Sequence, residues 1–366
     1  MELIRYTVYR TNHKGEKMGV DPDIFPLLEE KQKQINELNQ TVTEQSQQIA
    51  GLAESNRDIL LGMQDIKDRL RLLENSSTPE PSAQTLTFPG DPGAGKIRWG
   101  CSYMSNGIPT PHETAAGVPV GVRRTFWRLD QASSLISACK ADHTAGRLPW
   151  VSIKLTNINK VSVSWKNTAA GQLDNELIAL IKSLGSLQKP VWFSVHHEPE
   201  GGNGTAYPDE GQGTEPDWRA MQTHIRQLLN ASGVKNVAFA PILMAWTWDT
   251  RSGRNPADYW VDGIWDFMGI DHYVEASSTT QKTQMWLNTL AFCKQKNIRI
   301  AIGEWGNKDH TASGAAEMQE WYNHLIEIGS PGSCYFDTNL NGGVPLSGDA
   351  LIKFRQLMVD PKSVTL

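Results

Sequence analysis

Two carboxylates in this chain stand where strand-like apolar runs stop. Glu198 lies in the stretch Lys189 to Gly204, KPVWFSVHHEPEGGNG, where a Pro-bounded run, Val191 to Val195, breaks into HHEPE and then three glycines in four residues. Glu304 closes a second run, Arg299 to Gly303, in the sequence GEWG. A buried strand that delivers polar groups to a glycine-rich rim makes a place where substrate can approach the backbone. Two carboxylates across one mouth suit cleavage of a glycosidic bond, in which one group donates a proton and the other attacks or activates water. Trp305 beside Glu304 offers a stacking face for a sugar. Tyr273, at the end of another run, offers a hydrogen-bond donor to a nucleophile.

The elements that must hold these groups follow from the pattern beyond Ile97. Strand-like runs cover Ile97 to Tyr103, Val120 to Trp127, Trp150 to Leu155, Val191 to His196, Val237 to Met244, Phe267 to Tyr273, Ile298 to Glu304 and Cys334 to Asp337. Amphipathic helical patterns lie between several of them, as in Leu173 to Leu184, Trp218 to Leu229 and Gln284 to Lys294. Eight strands with intervening helices over about 270 residues predict an α/β fold, a (β/α)8 TIM barrel, with a doubly wound sheet as the alternative. In a barrel the C-terminal strand ends form the active face. Glu198 then ends the fourth strand and Glu304 the seventh.

Other rim residues have two readings each. Trp246 and Trp248 alternate at the end of the fifth strand, so they share a face and could line sugar subsites or pack in the core. Arg124 and Arg128 could bind hydroxyls or an acidic sugar, although salt bridges inside the mouth are the commoner fate. His196 and His197 with Asp271, His272 and His310 could build a metal-dependent hydrolase, but adjacent histidines on a strand point to opposite faces. The reading adopted has no metal and no cofactor.

HHEPE and GEWG, 106 residues apart, resemble the two catalytic signatures of clan A glycoside hydrolases, and His197 immediately before Glu198 resembles family 26, the mannanase family. The similarity covers roughly residue 97 to the C-terminus, and the two motifs are specific together. The resemblance implies that Glu198 is the general acid/base and Glu304 the nucleophile of a retaining glycosidase, with His197 in the substrate site. It also implies that Tyr273, in Asp271-His272-Tyr273, is the clan's tyrosine beside the nucleophile. The eighth strand, Ser333 to Asp337, departs from the clan by lacking a tryptophan, so Tyr335, Phe336 or Trp305 would have to serve under the reacting sugar.

Composition narrows the partners. The 366 residues carry a formal net charge of -5 and 20% charged residues with no basic stripe, which argues against nucleic acid. Thirteen tryptophans, concentrated in the last 270 residues or so, fit a carbohydrate cleft. Cys101, Cys139, Cys293 and Cys334 form no metal-binding pair and read as buried free thiols, although Cys101 and Cys334 would become neighbours if the first and last strands pair. The N-terminus lacks a signal-type apolar region, and no 18-residue apolar span occurs, so membrane insertion is not expected.

The first quarter of the chain has a different character. Residues 1–24 read as a small hairpin or edge strand, a segment suited to docking on a larger assembly. Residues 25–75 carry heptads: eleven of fourteen core positions are apolar, with Lys31, Gln45 and Asn56 the polar ones. This predicts a long parallel coiled coil of ~70 Å, and its Ile and Val content leans towards a homotrimer. Residues 76–96, rich in Pro, Gly, Ser and Thr, read as a linker, and residues 97–366 as the barrel. Within the linker Gly90 to Lys96 spells G-x-x-x-x-G-K, but Ile97 follows where a metal-binding hydroxyl belongs, and no helix pattern comes next. Anchor, stalk and sugar-active head in that order resemble phage tail-associated proteins. A protein made in the cytoplasm would then reach the host surface on a virion. A non-catalytic receptor-binding protein on the same barrel is the rival reading.

Overall fold

The computed structural model describes residues 10–11, 17–18, 26–27, 29–49, 87–201, 212–273, 280–340 and 343–366. The chain divides into two compact units, Met1–Thr85 and Leu86–Leu366. In the first, Arg10–Thr11 pairs antiparallel with Lys17–Met18. Residues 26–27 and 29–49 are helical. Along that helix Ile35, Leu38, Val42 and Ile49 are all at least half exposed in the single chain. The heptads beyond residue 49 lie outside the described residues. Among the described residues no helix is long and apolar enough to cross a membrane.

The second unit is built on a nine-stranded parallel sheet: β1 Arg98–Tyr103, β2 Val122–Arg128, β3 Leu148–Lys154, β4 Val191–Val195, β5 Val237–Phe239, β6 Ile242–Met244, β7 Met268–Tyr273, β8 Ile300–Gly306 and β9 Gly332–Asp337. Sequence neighbours pair throughout except β5 with β6, and β9 returns to β1. The two ends of the sheet are β5 and β6, which are halves of one interrupted strand. Pro241 sits in the break, where a residue without an N–H cannot continue a ladder. β5 bonds to β4 and β6 to β7, so covalent continuity through Ala240-Pro241 closes an eight-stave, TIM-barrel-like ring. This matches the predicted strands within two residues at most ends.

Helices follow seven of the staves. α1 Thr110–Ala116, α2 Ala132–Ala145, α3 Trp165–Ala169, α4 Asp174–Gly185, α5 Glu215–Ala231, α6 Gln284–Gln295, α7 Ala312–Glu327 and α8 Gly348–Met358 wrap the ring. α4 shows why: Leu177, Leu180, Ile181 and Leu184 recur on one face and are buried against the sheet. The fifth stave departs from a strict (β/α)8 pattern, being followed by three 3-10 turns between Ala245 and Tyr259 and no α-helix.

Two apolar layers result. Outward-facing strand residues meet the helices, while Val122, Trp150, Trp192, Ala238, Phe267, Ala301 and Cys334 fill the barrel interior. Phe88 completes that interior, stacking on Phe267 at 5.0 Å, and Trp192 Nε1 donates to Pro89 O at 3.0 Å. Residues 87–96, expected as linker, therefore belong to the barrel unit. The Lys96 ammonium of the G-x-x-x-x-G-K match donates to Pro361 O at 2.7 Å, and a strand follows it. All four cysteines are free and buried. β1 and β9 do pair, but Cys101 faces the helices and Cys334 the interior, so alternation keeps the thiols on opposite faces.

Candidate active site

The fourth stave delivers Glu198 through a strained turn. His196 and Glu198 have φ of 53° and 51°, a left-handed conformation that costs a non-glycine residue about 1–3 kcal/mol. Backbone bonds hold it: His196 N donates to Ile153 O and Glu198 N to Ile242 O, each at 2.8 Å. Consequently the histidines part. His196 is buried edge-on against Trp165, whereas His197 lines the cleft beside Phe126.

Glu304 reaches the interior by a different device. The register of β8 shifts at Gly303 against both β7 and β9, so a bulge turns Glu304 inward and Trp305 outward. Glycine suits the bulge, because an added Cβ would run into Asp271 Oδ1 and Arg124 Nη1 and force that ion pair to shift. Trp305 is accordingly 1% exposed, packed among Trp99, Trp321 and Tyr335, and cannot stack on substrate. On β7 the period of two puts Asp271 and Tyr273 on the inner face and sends His272 outward, stacked on Trp286 at 5.1 Å with Nε2 against Thr280 O.

These groups converge with Arg124 of β2. Tyr273 Oη donates to Glu304 Oε2 at 2.7 Å, and Arg124 Nη1 lies 2.7 Å from Asp271 Oδ1 and 3.2 Å from Glu304 Oε1. One oxygen each from Glu198, Asp271 and Glu304 lie within 4.8 Å of one another. Burial, with the charge of Glu304 next, pushes Glu198 up to about 7. Burial also lifts Asp271 well above the usual carboxylate range, with Glu304 and Glu198 adding to it. It works against the charge of Arg124 as well, but Asp271 and Glu304 outweigh it and hold the guanidinium protonated. Burial, then Lys154 and Arg124, keep His197 neutral by lowering it well below its ordinary value. A cleft of about 1120 Å³ opens over the group, and Phe126, Phe336 and Tyr335 contribute to its walls. Of the three aromatic rings offered in place of the missing tryptophan, Phe336 presents its ring to the cleft, whereas Tyr335 and Trp305, each 1% exposed, pack together in the outer layer.

Three other expected substrate contacts are placed elsewhere. Ala245–Trp248 is a 3-10 turn, so Trp246 and Trp248 do not share a strand face. Trp248 is buried against Phe292, and Trp246, 36% exposed, carries the Arg251 guanidinium over its ring. Arg128 forms its ion pair with Asp130 at 3.0 Å and does not line the cleft. Of the four histidines of the metal alternative one, His197, lines the cleft: His196 packs on Trp165, His272 faces the helices, and His310 sits against Ser347 Oγ and Asn307 O. Among the described residues the three carboxylates are the one group with metal-binding spacing, and the Arg124 guanidinium is already set against two of them.

Sequence reasoning named Arg124 only as a binder of hydroxyls or a salt-bridge partner, and Asp271 only as a metal ligand or as part of the Tyr273 signature. A signal was present: an arginine inside a strand run, and an aspartate two residues before the strand-end tyrosine, sharing its face. Phe126, two residues after Arg124, follows from the same alternation.

No protein-family model matches the chain, and neither does any curated protein sequence. Solved structures do. A glycoside hydrolase family 26 β-mannanase from Bacteroides ovatus is 16% identical, covering 79% of this chain and 95% of its own, with a TM-score of 0.54. A modular endo-β-1,4-mannanase from Cellulomonas fimi is 18% identical over 78% and 76%, with a TM-score of 0.51. A β-mannanase from a symbiotic protist of the termite Reticulitermes speratus, solved with gluco-manno-oligosaccharide, is 13% identical over 79% and 98%, with a TM-score of 0.54. The barrel unit of this chain has the fold of the family 26 mannanases.

Proposed function

We propose that the chain is a retaining glycoside hydrolase acting on a polysaccharide of a cell surface or cell wall. The observation that carries the reading is the approach of Glu198 and Glu304 within 4.8 Å. Such proximity suits a nucleophile and an acid acting on one anomeric carbon, whereas an inverting pair stands roughly 6.5–9.5 Å apart to admit water. Glu198, protonated near neutrality, gives its proton to the glycosidic oxygen as Glu304 attacks the anomeric carbon. The leaving sugar departs, and the Glu198 carboxylate then takes a proton from the water that releases the glycosyl-enzyme ester. Tyr273 and Arg124 orient the Glu304 carboxylate throughout.

The test is incubation of the full chain with β-1,4-mannan, galactomannan and purified bacterial surface polysaccharides. New reducing ends, absent with Glu304→Gln, support turnover. Binding without release of sugar points instead to the receptor-binding alternative. The anomeric form of the first product, read by NMR, supports retention if it matches the substrate.

The presentation of this head is part of the proposal. The heptads, with an exposed apolar stripe on the helix over 29–49, support a parallel homotrimeric stalk. Light scattering should give three times the 40.7 kDa chain mass, falling to one for a chain begun at Leu86. The hairpin, stalk and barrel order supports docking of the N-terminal segment to a phage tail. Mass spectrometry of purified virions should then detect the chain, and its absence from them overturns that placement.

A further inference from the structure

The mechanism above leaves one enclosed acid without a task. Glu200 has no exposed surface, although it lies two residues beyond Glu198. Its Oε1 accepts from Met244 N at 3.1 Å and from Thr247 Oγ1 at 2.7 Å, and its backbone carbonyl accepts from Arg254 Nη2 at 2.9 Å. Oε2 is buried with no hydrogen-bond partner among the described residues. A buried carboxyl that leaves an oxygen unpaired is costly, so it persists where the bonds it does make matter.

Those bonds reach the segment that steadies the catalytic turn. Glu198 N donates to Ile242 O, and Met244 N, two residues along β6, donates to Glu200. The turn is thus clamped to one strand at two points, by its backbone at Glu198 and by a side chain at Glu200. The first of these points is itself the left-handed residue that carries the acid/base carboxyl. Left to relax, that residue would return to ordinary φ and carry its carboxyl away from Glu304.

We propose that Glu200 is a positioning residue, whose buried carboxyl grips the Met244 amide and the Thr247 hydroxyl and so holds the strained turn that points Glu198 into the cleft. The catalytic part of this inference rests on the glycosidase reading, and the structural part stands without it.

Full-length wild type, Glu200→Gln and Glu200→Ala are compared by hydrogen–deuterium exchange and by reducing-end release from β-1,4-mannan. In Glu200→Ala the amides of Glu198 and Met244 should exchange about 10-fold faster. Its kcat should fall about 10- to 100-fold with KM within about twofold, as expected for a misplaced catalytic group. Glu200→Gln, which can accept the same two bonds, should restore both properties to within about threefold of wild type. If Glu200→Ala does not fold, Thr247→Val removes one of the two donors and should give the same changes at smaller size. Wild-type exchange at Glu198 together with wild-type kcat in Glu200→Ala overturns the proposal. So does a Glu200→Gln protein as impaired as the alanine variant. If the wild type releases no sugar, the glycosidase reading fails, and the exchange data still decide the anchoring.

Discussion

The guanidinium of Arg124 sits 3.2 Å from the carboxylate of Glu304, and the same nitrogen is 2.7 Å from Asp271. No Arg124–Glu198 ion pair occurs among the described residues. Of the two carboxylates at the mouth, one touches a buried cation and a tyrosine hydroxyl, while the other is pushed up by burial and by its partner's charge. That asymmetry fits the division of labour proposed for them.

Arg124→Met should be damaging twice over. It strands Asp271 and Glu304 as buried acids without a cation, a loss of about 3–5 kcal/mol in denaturant unfolding. Turnover should drop on the order of 10²-fold or more even where the variant is folded, because Glu304 loses its orientation.

The roles of the two glutamates separate with the leaving group. Glu304→Gln should lose activity on the order of 10³-fold or more on every glycoside tested. Glu198→Gln should lose about 10²–10⁴-fold on polysaccharide, where protonation of the departing sugar is needed, and far less on an aryl glycoside with an acidic phenol. Equal losses on both substrates would reassign Glu198.

Acidity should act on rate and stability in the same window. Glu198 must be protonated to donate, so kcat/KM should fall as pH rises through about 7. Glu198 and Glu200 are both held near 7 from an ordinary 4.5, first by burial, so between those values the folded chain keeps protons that the unfolded chain has released. Their contribution to stability is therefore full below about pH 4.5 and is lost as pH rises through 7. For each group the full decline is on the order of 3 kcal/mol. Melting curves from pH 5 to 8 should show the loss, and Glu200→Gln should flatten it.

Gly303→Ala tests the bulge. The added methyl meets Asp271 and Arg124, so the variant should lose about 1–3 kcal/mol and most of its activity together. Wild-type kinetics would show that the bulge does not aim Glu304.

Phe88→Ala tests where the barrel unit begins. Removing a ring that stacks on Phe267 should cost about 3–5 kcal/mol with kcat unchanged, since Phe88 lies in the interior core and does not line the cleft. A chain begun at residue 97 should be destabilised similarly relative to one begun at Leu86.

Much of the barrel could be read in advance because its strands, buried on both faces, are continuous apolar runs and its helices repeat every three or four residues. The fifth stave was less legible, since Pro241 breaks one predicted strand into two and the following segment folds as 3-10 turns. The linker reading of residues 87–96 failed because Pro and Gly report local backbone preference. They say nothing of whether an adjacent Phe has an interior to fill.

For the site, Glu198, Glu304 and Tyr273 could be named because each stands at the end of an apolar run, and His197 because its place before Glu198 resembles the family 26 signature. Trp305, Trp246 and Trp248 were misplaced for a shared reason, whereas Arg128 keeps the face of Arg124 and is taken up by Asp130. Which way a side chain faces depends on bulges and turns, and one extra residue at Gly303 exchanges the faces of Glu304 and Trp305. By itself the sequence determined the staves, the two glutamates and the heptads, since these rest on short-range pattern. Only the tertiary structure decided that Arg124 of β2 and Asp271 of β7 meet at Glu304, because that contact joins residues 147 to 180 positions distant along the chain.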